Sequence, residues 1–93
     1  MMKKARLSAT VIGRVQGVFF RVFVEKYALS HNISGYVKNL PGGQVQVMAE
    51  GEQVELEKLL QTLHHGPPGA NVENVNFLWE EYRGDYKKFS ILY

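Results

Sequence analysis

A glycine-flanked turn and an arginine meet in one nonapeptide, Gly13-Arg14-Val15-Gln16-Gly17-Val18-Phe19-Phe20-Arg21. Glycines at 13 and 17 let the backbone fold back closely and expose consecutive N–H groups. The apolar residues that follow, Phe20, Phe23, Val24, Tyr27 and Ala28, recur at helical spacing. A helix starting here adds unpaired donors and a partial positive charge to the same spot. Arg21 falls in the first helical turn but off the apolar stripe, with a planar fork of donors suited to phosphate or carboxylate. The chemistry offered is capture of an anion, and a plain glycine turn with a surface arginine fits the same residues.

The elements that hold this stretch follow from hydrophobic period. Before it, Leu7, Ala9 and Val11 alternate with Arg6, Ser8, Thr10 and Ile12, a strand covered on one face. The helix runs from Phe19 or Phe20 to Ser30, and His31 to Gly35 lead out through residues that favour turns. Residues 36–40 and 44–50 are strands around Pro41-Gly42-Gly43, a hairpin. From Gly51 the period turns helical, with Leu56, Leu59, Leu60 and Leu63 on one stripe and Glu52, Glu55 and Glu57 early. Gly66-Pro67-Pro68-Gly69 stops that helix. Val75, Phe77 and Trp79 then alternate with polar neighbours in a strand, with Phe77 and Trp79 read as core. Arg83-Gly84-Asp85 turns the chain into a short terminal strand at 89–93.

The order β-α-β-β-α-β plus a short final β points to an α+β ferredoxin-like sandwich: two interlocked right-handed β-α-β units in one antiparallel sheet, both helices on one face. The short extra C-terminal strand has no place assigned by pattern alone. In this arrangement the first two strands run parallel with the third between them. Their C-terminal ends lie together, so Asn39 comes within two strand spacings, roughly 10 Å, of the nonapeptide. Asn39 shares parity with Val37 and therefore projects toward the helix side. Taken alone it reads first as a turn residue before Pro-Gly-Gly. With Arg21 and the N–H groups it closes a gap sized for one phosphate and one water.

Composition narrows the classes. A chain of 93 residues, 45% apolar and 22% charged, is expected to form one folded domain over residues 1–93 without staples. It has no cysteine, so disulfides and thiol chemistry are excluded. A net charge of +2 without a block of like charge implies neither a nucleic-acid nor a membrane partner. Met1-Met2-Lys3-Lys4 is followed by no apolar stretch of signal-peptide type, and a cytoplasmic location is expected. The adjacent His64 and His65 diverge on their helix, and His31 lies on the other, so no metal site is expected.

Here the residues resemble a family. The nonapeptide and Gly35-Tyr36-Val37-Lys38-Asn39-Leu40-Pro41-Gly42-Gly43 look like the two signature segments of the acylphosphatases. Gly66-Pro67-Pro68-Gly69-Ala70 and the closing Phe89, Ile91 and Tyr93 extend the likeness over nearly the whole chain. The resemblance implies hydrolysis of acyl phosphates, carboxyl-phosphate mixed anhydrides, to a carboxylate and inorganic phosphate, with no metal or other cofactor. By motif position Arg21 matches the phosphate-binding arginine and Asn39 the water-orienting asparagine. The backbone amides of Val15, Gln16, Gly17, Val18 and Phe19 match the phosphate cradle. The partners implied are a small-molecule acyl phosphate and phosphate, acting on a monomer. A carboxylate leaves without needing a proton at neutral pH, so the lack of a general acid agrees with this chemistry.

Three positions depart from the family's habit. Phe19 stands where Gly or Cys is more usual, so it either narrows the pocket or demands a different local φ. Leu92 replaces a common arginine and Tyr36 a common tryptophan. The same fold also serves RNA recognition, which needs stacking aromatics on the open sheet face. Those positions hold Ser8, Thr10, Ile12, Gln44, Gln46 and Met48, none aromatic. A phosphate-binding domain without turnover is the other reading. The Tyr93 carboxylate is a further group that the terminal strand can bring toward the anion site.

Overall fold

Alternation along residues 4–14 produces an inner strand, β1, Lys4–Arg14, which buries Leu7, Ala9 and Val11 and leaves Ser8 and Thr10 half-exposed on the opposite face. The structure is a computed structural model that describes residues 3–93. After β1 come α1, Phe20–Ser30; β2, Ser34–Asn39; β3, Val45–Glu52; α2, Gln53–His65; β4, Asn71–Glu81; and β5, Phe89–Leu92. The sheet order is β4-β1-β3-β2-β5. β1 pairs antiparallel with β3 and β4, and β2 antiparallel with β3. This is the ferredoxin-like α+β arrangement, with β1 and β2 pointing the same way on either side of β3.

Burial of one helical stripe holds the layers together. Phe20, Val24 and Ala28 of α1 and Leu56, Leu59 and Leu63 of α2 share one core with the inward residues of β1, β2 and β3. Each fully buried leucine contributes roughly 1.5–3 kcal/mol, against about 0.3–0.5 kcal/mol for an exposed pair such as Lys58 and Glu55. Packing, not surface charge, keeps α2 in place.

Several expectations shift in detail. β5 pairs parallel with β2, Gly35 opposite Phe89 and Val37 opposite Ile91, so the sheet is mixed rather than wholly antiparallel. β3 continues through Gly51, which pairs with Ala5, and helix begins only at Gln53. Trp79 packs against the core, but Phe77 is half-exposed, because β4 is an edge strand with sheet on one side only.

The segment between β4 and β5 is pinned at the far end of the sheet. Glu50, fully buried, accepts from Arg6 Nε at 3.2 Å, from the Arg83 N–H at 2.8 Å and from the Asp85 N–H at 3.1 Å. Arg6 Nη2 donates to Asp85 at 2.8 Å. Burial alone would lower the Arg6 pKa, but the Glu50 charge, together with Tyr86 and Asp85, more than offsets it and raises it. On the Tyr86 hydroxyl burial acts the other way and raises its pKa, with Arg6 opposing. Once pinned, the chain enters the β2 edge in the direction of β2.

Candidate active site

At the C-terminal end of β1 the ladder opens. Pairing with β3 ends at Val11 opposite Val45, while pairing with β4 continues past a register shift between Ile12 and Gly13 to Arg14 opposite Asn71. Gly13 is needed at this bulge: at φ 133 a Cβ would lie 2.2 Å from the Asn71 carbonyl oxygen. The chain then leaves the sheet as the loop 15–19. Gly17 at φ 74 and Phe19 at φ 60 are both left-handed, the ingredient of an anion-binding nest. Among the described residues, the N–H groups of Gln16, Gly17, Val18 and Phe19 donate to no backbone carbonyl.

α1 opens directly from this loop. Its first bond runs from the Phe23 N–H to the Phe19 carbonyl at 3.0 Å, no side chain caps it, and its first turn carries no acidic residue. Neither the N-cap side chain nor a first-turn carboxylate therefore offsets the partial positive charge of the helix start. Arg21, half-buried, donates from Nη1 to the Leu92 carbonyl at a long 3.4 Å. Its guanidinium carbon lies 4.9 Å from the centre of the Tyr93 ring. Tyr93 thus meets Arg21 through its ring, and β5, whose position sequence pattern left open, backs the arginine.

A cavity of about 310 Å³ gathers these groups: Val15, Gln16, Gly17 and Phe19 from the loop, Arg21 from α1 and Asn39 from the end of β2. Asn39 shares the face of Val37, which is buried toward the helices, and opens into this cavity. Val18 is not in its wall; the side chain packs on the core. A larger cavity, about 390 Å³, lies at the other end of the sheet, where Glu52 and Glu55 face one cation, Lys4, and Glu50 is already paired with Arg6, a lining that does not favour an anion.

Gln16 does something its type and position did not announce. Its side-chain Nε2 donates to the Leu40 carbonyl at 2.9 Å and to the Gln44 carbonyl at 2.8 Å, ties across 24 and 28 residues. Those carbonyls also shape the hairpin turn, where the Gly43 N–H donates to Leu40 and the Leu40 N–H to Gln44. One amide thereby fixes the loop relative to the strand end that carries Asn39. The partners are distant in sequence, so no local signal marks them.

Phe19 takes the second of the two outcomes its bulk allowed. Its backbone is left-handed, a conformation that costs a bulky residue about 1–2 kcal/mol, and its ring points outward, 81% exposed. Among the described residues no group of three or more His, Cys, Asp or Glu is gathered where it could hold a metal ion. No helix among them is long and apolar enough to cross a membrane.

Fold and site together define a ferredoxin-like α+β protein with free backbone donors, an arginine and an asparagine around one cavity. The family model described as acylphosphatase matches residues 7–91. An acylphosphatase from Pyrobaculum aerophilum is 40% identical over 92 residues, 98% of this chain and 97% of that protein. The structure of an acylphosphatase from Coxiella burnetii superposes with a TM-score of 0.90 at 41% identity, covering 97% of this chain and 94% of the other. That of an acylphosphatase from Bacillus subtilis gives 0.92 at 32% identity, covering 96% and 99%. The chain belongs to the acylphosphatase family and is a hydrolase acting on acid anhydrides.

Proposed function

We propose that the chain hydrolyses acyl phosphates to a carboxylate and inorganic phosphate without a metal ion, the phosphate held by Arg21 and the amides of residues 15–19 and the water oriented by Asn39. The observation that carries this reading is the convergence of Arg21, Asn39 and the loop on one cavity at an uncapped helix start. The N–H groups and the guanidinium stabilise the equatorial phosphoryl oxygens as charge redistributes among them. The Asn39 carbonyl accepts a hydrogen bond from the attacking water and aligns it opposite the leaving carboxylate. Water oxygen bonds to phosphorus, the bond from phosphorus to the acyl oxygen breaks, and the carboxylate leaves with the electron pair. One water proton stays on the new P–OH and the other passes to a phosphoryl oxygen, giving dihydrogen phosphate. The same reading has the chain work as a single domain over residues 1–93, as a cytoplasmic monomer on a small-molecule substrate, with no nucleic-acid or membrane partner.

Benzoyl phosphate hydrolysis by the wild type, Arg21→Ala and Asn39→Ala, each with EDTA, tests it. Loss of Arg21 is expected to cost roughly a hundredfold or more in kcat, as removal of one key donor does elsewhere, and loss of Asn39 a comparable factor because the attacking water is no longer aligned. Chelator is expected to change nothing. Activity kept by both variants, or abolished by EDTA in the wild type, contradicts the mechanism.

A further inference from the structure

Phe19 holds a conformation and an exposure that work against each other in a folded domain. Its backbone lies at φ 60 and ψ 29, where a bulky side chain is crowded, and its ring is 81% exposed. Such a ring adds little to the core, while glycine would take the same backbone without crowding. Position gives it a use. Val15 and Phe20, both buried, floor the cavity, and Arg21 and Asn39 supply its polar side. Phe19 and the 45%-exposed Val22 form the apolar rim. A substrate with a charged phosphate and an uncharged acyl body has to lie across this cavity with phosphate on the polar side. Its acyl body then rests against Phe19 and Val22.

We propose that Phe19, backed by Val22, selects the acyl group, favouring acyl phosphates with an aromatic or other bulky apolar body over acetyl phosphate. The proposal rests on the hydrolysis reading above and names the substrate class for that site. An aromatic acyl group and the Phe19 ring shield each other's faces from water and gain the attraction of an offset or edge-on ring pair. A methyl group covers little of the ring, so acetyl phosphate takes almost none of this gain.

The test is kcat/KM for benzoyl and acetyl phosphate in the wild type, Phe19→Gly and Val22→Ser. Intrinsic reactivity cancels, because the same two anhydrides are compared across proteins. The benzoyl-to-acetyl ratio is expected to fall about tenfold in Phe19→Gly, the worth of one ring contact, and about twofold in Val22→Ser. Glycine suits φ 60, so the first variant is expected to fold, and Val22→Ser gives an independent reading at an exposed site. A Phe19→Gly ratio that is unchanged or rises, with both substrates still hydrolysed, overturns the selectivity role and leaves the hydrolysis reading standing. A wild type that hydrolyses neither anhydride overturns the hydrolysis reading and this inference with it.

Discussion

Arg6 and Arg21 stand at the two ends of the sheet, the first near the start of β1 and the second just beyond the loop that follows it. Arg6 is 5% exposed, its guanidinium donating to Glu50 and Asp85 and lying 5.5 Å from the centre of the Tyr86 ring. Arg21 is half-buried and, among the described residues, makes one hydrogen bond, at 3.4 Å. A buried charge must be matched by its own protein or it destabilises the fold. The Arg6 end meets that requirement: no buried side-chain nitrogen or oxygen among the described residues lacks a partner. The Arg21 end leaves donors unmatched where water can reach them, which costs little in the free protein and leaves them available to an anion. The same residue type is thus structural at one end and proposed as catalytic at the other, and the difference lies in how many donors are already engaged.

Exchanging the two losses would break that contrast. Arg21→Ala is expected to lower kcat for benzoyl phosphate by a hundredfold or more, roughly, with the urea midpoint nearly unmoved. Arg6→Ala is expected to do the reverse, costing about 3–5 kcal/mol of unfolding free energy by leaving Glu50 buried without its counter-charge. Its turnover per folded molecule should stay near wild type. From Arg6 to the end of β1 at Arg14 is eight positions, roughly 26 Å at about 3.3 Å per residue, and Arg21 lies past the loop that follows that end. A smaller effect sharpens the comparison from the site side. Gln16→Ala removes both ties to the hairpin, which should cost about 1–2 kcal/mol and lower kcat about tenfold, through loosened placement of Asn39 against the loop. Stability lost without any fall in kcat would reduce Gln16 to a purely structural tether.

What pattern could reveal, and what it could not, follows the same division. The sheet order is readable because right-handed crossovers leave few arrangements for β-α-β-β-α-β; that order brings the end of β2 beside the loop, and parity with Val37 turns Asn39 to the helix side. The place of β5 is not, because its seat depends on the pin at Glu50, and nothing local distinguishes that glutamate from the exposed Glu81. Phe77 looked like core by alternation, yet alternation reports a face and not whether a neighbouring strand lies beyond it. Sequence marks only the backbone of Gln16, since the two carbonyls its side chain binds belong to another turn. Phe19 was legible as a departure, while the outward aim of its ring needed the left-handed backbone to be seen.

Titration with inorganic phosphate, followed through the backbone amide resonances of the wild type and Arg21→Ala, bears most directly on the proposed division between the two ends. Phosphate is expected to shift the amides of Gln16, Gly17, Val18 and Phe19 together, to leave those of Arg83 and Asp85 unmoved, and to bind at least about tenfold more weakly without Arg21. Shifts centred on the Arg6 end, or equal affinity in Arg21→Ala, would contradict it.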